Sequence, residues 1–146
     1  MDFHYTYTVK ATPERLWVLV SDIPTVGGCI PGAESVTEQP DGSYAGTVKV
    51  RVGPVSLGLG GRLTVEERDE AARRLVLAGE GADKRVPGNV RVRISMQVNP
   101  AVEGAELVVD SEAHIMGKLG EFGQGIIKRK ADGLMKDFGQ NLAKQV

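Results

Sequence analysis

The sequence predicts an α+β fold in which a curved, seven-stranded antiparallel sheet wraps a long C-terminal helix, with two short helices after the first strand. Three observations carry this. Seven stretches alternate apolar and polar residues with the period of two that a half-buried strand requires, and turns rich in glycine and proline separate most of them. After Met116 the apolar spacing changes to that of a helix. A sheet with one apolar face must cover it, and only the last segment, roughly 40 Å at about 1.5 Å per residue, is long enough to do so.

The elements follow in order. Residues 2–10 place Phe3, Tyr5, Tyr7 and Val9 in one phase and His4, Thr6 and Thr8 in the other. Thr12 and Pro13 then form an N-cap and first helical position, and Leu16, Trp17, Leu19 and Val20 are the apolar face of a helix ending near Ser21. The stretch SDIPTVGGCIPGAES, broken by Pro24, Gly27, Gly28, Pro31 and Gly32, holds a second short helix and then a loop. Strands are expected at 33–38, 43–52, 55–66, 73–80, 89–99 and 105–116. Asp41–Gly42, Gly53–Pro54, the loop 81–88 and residues 100–104 turn the chain between them. From 118 to 146 one continuous helix is expected, with Leu119, Phe122, Ile126, Ile127, Leu134, Met135, Phe138 and Leu142 at helical spacing. Gly120, Gly123, Gly125, Gly133 and Gly139 each cost about 1 kcal/mol relative to alanine in a helix interior, so they require a packing reason.

Composition narrows the function. A chain of 146 residues is one domain, 1–146. Eighteen Lys plus Arg against nineteen Asp plus Glu leave no basic excess for a phosphate backbone, which argues against a nucleic-acid partner. One cysteine and two histidines offer no disulfide framework and little from which to build a metal site. The first ten residues lack the basic and apolar regions of a signal peptide, so the expected compartment is the cytoplasm. Glycine at 19 residues, about 13% against a usual ~7%, with few aromatics, suggests an interior that is hard to fill.

Three segments, CIPGAESV at 29–36, YAGTVKVRVGPV at 44–55 with a following Gly61, and GKLGEFG at 117–123, carry a resemblance across the whole chain. On these residues the sequence resembles the CoxG family of carbon monoxide dehydrogenase subunits, within the START-like helix-grip superfamily (SRPBCC) that also holds the plant pollen allergens. The resemblance implies a helix-grip fold and a non-catalytic accessory protein that assists a carbon monoxide dehydrogenase-like molybdenum hydroxylase at the membrane. It also implies a lipophilic guest such as a quinone or lipid, with no required cofactor. Family members often carry an apolar tail beyond the domain. This sequence stops at Val146, so membrane contact is expected to be peripheral at most, at the inner face of the cell membrane.

From the residues themselves, the main expectation is an apolar cavity between sheet and helix, weighed against a solid core of Val, Leu and Ile. Its lining is expected from Val50, Val52, Leu57, Leu59, Met96, Ile115, Phe122 and Ile126, with Cys29 and Ile30 near the mouth and the second short helix as a gate. Val55, Leu57 and Leu59, close to a turn, are either simply buried or a lip that touches a partner or bilayer. Asp83, Lys84 and Arg85 are expected to be solvated, as are Lys128, Arg129 and Lys130. His4 and His114 are expected to meet on the convex face. Cys29 reads as a small buried hydrophobe rather than a nucleophile. Tyr5, Tyr7, Tyr44 and Ser111 are the inward polar groups, with no base in the same phase, so no catalytic residue is assigned. The alternative is an enzyme of the polyketide cyclase or hydratase kind, acting on a hydrophobic substrate with polar groups inside the cavity. A plainer possibility is an interaction domain with a filled core that binds a partner strand at its sheet edge.

Overall fold

The computed structural model describes residues 1–146. Strand β1 (Asp2–Val9) leads to helices α1 (Pro13–Ser21) and α2 (Ile23–Gly28), and then to six further strands. These are β2 (Ala33–Glu38), β3 (Tyr44–Val52), β4 (Val55–Asp69), β5 (Arg74–Ala82), β6 (Gly88–Ala101) and β7 (Gly104–Gly117). A 3-10 turn (Lys118–Phe122) and helix α3 (Gln124–Gln145) end the chain. All seven strands form one antiparallel sheet in the order β1-β7-β6-β5-β4-β3-β2.

Local chemistry explains the boundaries. Thr12 caps α1 by accepting from the backbone N–H of Arg15, and Asp22 caps α2 by accepting from Thr25. The β2–β3 turn is held by Asp41, whose carboxylate accepts from both the backbone N–H and the hydroxyl of Ser43. Strand β4 reaches Asp69, beyond the expected end at 66, because a register shift between Val65 and Glu67 lets pairing with β5 continue.

The expected single helix from 118 to 146 is corrected. Gly117 and Gly123 both take positive φ, 74° and 87°, and the five residues between them wind as a separate 3-10 turn. That turn drops Leu119 into the interior, where it is 3% exposed, and α3 starts only at Gln124. The helix glycines differ in their reasons. Gly139 is a close approach: a Cβ there would sit 2.5 Å from the ring of Tyr7. At Gly125 and Gly133 a Cβ would meet nothing, so packing does not require them.

Buried side chains fall into two clusters separated along the strands. The larger lies where α1 and α2 cover the sheet and includes Leu16, Val20, Ile23, Leu75, Val98, Leu107, Phe138 and Leu142. The smaller, Val52, Leu57 and Leu119, with Val50, Leu59, Ile115 and Phe122 against it, fills the β3–β4 hairpin end. Trp17 donates its indole N–H to Glu70, tying α1 to the β4–β5 turn.

The Gly139–Tyr7 contact is testable. Tyr7 has little freedom to retreat, since its hydroxyl donates to the carbonyl of Met135 at 2.7 Å and its ring packs edge-on against Phe138. Overpacking costs about 1–3 kcal/mol and exceeds the helix-propensity gain of about 1 kcal/mol. Gly139→Ala is therefore expected to lower the unfolding free energy in urea by about 1 kcal/mol; equal or higher stability would show that the ring yields.

Candidate functional site

Between the two clusters the inward side chains leave space beneath α3. Register shows where this happens. Along β6 and β7 the pairs Val98–Leu107 and Met96–Val109 belong to the larger cluster and Val90–Ile115 packs against the smaller, while Ile94–Ser111, with Ile94 at the edge of the larger cluster, and Val92–Ala113 lie between them. There the structure leaves a partly open cavity of about 270 Å³. Its sheet side carries Phe3 and Tyr5 of β1, Leu63 of β4, Leu77 of β5 and the middle pairs just named. The α2 segment contributes Ile23, Val26, Gly27 and Ile30, and α3 contributes Ala131, Met135 and Phe138. Apart from Gly27 and Ser111 every lining residue is hydrophobic.

The sequence-based lining is thus brought together only in part. Ile30 and Met96 line the cavity. Val50, Val52, Leu57, Leu59, Ile115 and Phe122 gather instead around Leu119 in the hairpin-end cluster, which corrects their placement at the cavity and, of the two readings of the hairpin, favours burial over a lip. The cause is the 3-10 turn: an uninterrupted helix would leave that end open, whereas the turn plugs it. Ile126 is corrected as well, being 44% exposed on the outer face of α3. Cys29 is buried behind α2, with its thiol donating to the carbonyl of Thr25, and burial pushes its pKa up. That disfavours the thiolate a nucleophile needs.

The inward tyrosines have partners that strand phase could not reveal. Tyr5 donates to the carboxylate of Asp132 on α3 at 2.7 Å. Burial first, and then the bond and the negative charge of Asp132, raise the Tyr5 phenol well above its ordinary value. Tyr7 is pushed up to about 12 by burial. The only advance signal for Asp132 is its helical spacing from Lys128, which sits over the ring of Phe3, 5.8 Å from its centroid.

Outside the cavity two further expectations are corrected. His4 pairs with Asp110 and His114 with Arg91, so β1 is too short to bring the two imidazoles together; each bonds to a carboxylate, Asp110 and Glu112 respectively. Larger depressions do open on this convex face, one of about 690 Å³, but Arg62, Glu80, Arg91, Arg93, Glu112 and His114 line it, a poor surface for an apolar guest. Asp83 is not solvated. Its side chain is 3% exposed and accepts from the backbone N–H groups of Gly58, Arg85 and Val86, joining the β5–β6 loop to β4.

Those three backbone bonds lower the pKa of Asp83. A carboxyl group depressed in the folded state stabilises fully above its unfolded value, ~3.9, and loses that contribution as pH falls through the lowered folded value. Asp83→Asn is expected to reduce the melting temperature at pH 7, with the difference from wild type shrinking as pH drops below about 4. A difference that stays constant down to about pH 2 would contradict the charge-assisted origin.

Comparison with known proteins places this architecture. The sequence profile of the CoxG family of carbon monoxide dehydrogenase subunits matches residues 6–146. No curated protein matches the chain in sequence. Among solved structures, a conserved protein from Geobacillus kaustophilus superposes with a TM-score of 0.86 at 20% identity, covering 99% of this chain and 94% of that one. The ZhuI aromatase/cyclase from Streptomyces sp. R1128 gives 0.68 at 13% identity, with 99% and 92% covered. Ara h 8.0201 gives 0.59 at 17% identity, with 99% and 98% covered. The fold is the helix-grip fold.

Proposed function

Because the chain belongs to the CoxG family of carbon monoxide dehydrogenase subunits, we propose that it is a non-catalytic accessory protein that holds a hydrophobic molecule, a quinone or other lipid, between its sheet and α3. In this reading it serves a carbon monoxide dehydrogenase-like molybdenum hydroxylase, working from the cytoplasm with at most peripheral contact at the inner face of the membrane. The observation that carries the proposal is the cavity wall. It is concave, almost wholly apolar and close to the lower end of the ~300–1,000 Å³ range of small-molecule sites. No helix of the structure is long and apolar enough to cross a membrane.

A second reading, an enzyme of the polyketide cyclase or hydratase kind, is favoured by one observation, the Tyr5–Asp132 pair beside the cavity. Its weakness is chemical. A phenol held well above its ordinary pKa is a poor proton donor at neutral pH, where a useful general acid titrates near the working pH.

Native mass spectrometry of the gently purified protein separates the two. The accessory reading expects a retained lipophilic mass, and expects Ala131→Trp, which fills the cavity from α3, to reduce its occupancy about tenfold or more while the protein stays folded by circular dichroism. An empty protein that instead converts a polar aromatic substrate would favour the enzyme. As a partner test, adding the ligand-loaded protein to a purified molybdenum hydroxylase should speed electron transfer to quinone; no change would remove the proposed partner.

A further inference from the structure

Resting on the ligand-binding reading above, we propose that the cavity takes its guest apolar end first. The guest's polar end, an uncharged hydroxyl or carbonyl group, then sits at the seam between β1 and α3 among Tyr5, Lys128 and Asp132.

The wall disfavours the reverse orientation, since it offers a buried polar end a single hydroxyl. Ser111 is the one lining residue other than Tyr5 with a side-chain hydrogen-bonding group, and the Tyr5 hydroxyl is turned out of the cavity toward Asp132. A carbonyl buried here would be left largely unpaired and lose roughly tenfold or more in affinity. Volume sets the length of the buried part. An apolar void of ~150 Å³ admits benzene, so 270 Å³ scales to about eleven carbon atoms. A longer molecule must leave the remainder outside.

The seam supplies what the wall lacks. Asp132 accepts from Tyr5 at 2.7 Å, and Lys128 lies over Phe3, itself a lining residue. Lys128 and Asp132 lie one turn apart on α3, so a charged head drawn to one of them is repelled by the other. A hydroxyl can donate to Asp132 and accept from Lys128. The seam is also the lightly fastened part of α3. Toward its C-terminal end the helix is held by Tyr7 bonded to Met135, by Asn141 donating to the carbonyl of Cys29, and by the buried Phe138 and Leu142. Toward its start, the Tyr5–Asp132 bond is the one hydrogen bond joining it to the sheet.

The experiment is displacement of a naphthalene-type fluorescent dye from the full chain at pH 7 by a series of 1-alkanols and the matching alkanoates. The expected result is affinity rising about fourfold per added methylene and levelling off near eleven carbons. Decan-1-ol should outcompete decanoate. Asp132→Asn, which keeps an acceptor for Tyr5, should strengthen decanoate at least threefold while leaving the dye unchanged. Lys128→Gln should weaken decan-1-ol and not the dye. If the dye binds but alkanols show no length dependence, or Asp132→Asn leaves decanoate unchanged, the orientation is wrong and the ligand-binding reading survives. If neither dye nor alkanol binds, both fall.

Discussion

Everything distinctive about this domain follows from how α3 is held off the sheet. At one end Phe138 and Leu142 sink into the cluster formed with α1 and α2, and Gly139 lets the helix press onto the ring of Tyr7. At the other end the 3-10 turn drops Leu119 between Val52 and Leu57. A straight rod fixed at both ends of a curved sheet cannot also touch its middle, because side chains of ordinary size do not span the gap. The middle inward positions, Ile94, Val92, Ser111 and Ala113, are left facing a void.

The charged residues stand apart from that void. On the convex face the register sets Arg91 beside Glu80 and Glu80 beside Arg62, so charges alternate across three strands. Arg93 reaches Glu66 at 3.1 Å on the same face. These exposed pairs contribute little stability individually, but they satisfy the charged groups where water also reaches them. The inner face keeps only phenols and one hydroxyl, and Tyr5 and Tyr7 have their oxygens bonded to α3. The wall is therefore almost wholly hydrocarbon.

Much of this is readable from sequence, and the limits have definite physical causes. The strands, the two short helices and the family resemblance follow from alternation, from Thr12–Pro13 and the breakers after it, and from the motif segments. Strand phase identifies which residues point inward, and Met96 and Ile30 do line the cavity. Phase says nothing, however, of position along the strand relative to the covering helix. That is why Val50, Val52, Leu57, Leu59, Ile115 and Phe122 are placed at the cavity by sequence and at the plug by structure. The deciding feature, the break at Gly117 and Gly123, is hidden because Leu119 and Phe122 keep near-helical spacing through a 3-10 turn. Asp132 escapes for a related reason: a contact between a strand and a helix over a hundred residues away leaves no local periodicity.

The most direct test of a void between helix and sheet is a crystal of the protein pressurised with xenon, an apolar atom that enters dry cavities and avoids filled cores. Bound xenon is expected between α3 and the sheet, within contact of Ile94, Val92, Ala131 and Met135. Continuous side-chain density through that region, with no xenon site, would contradict it.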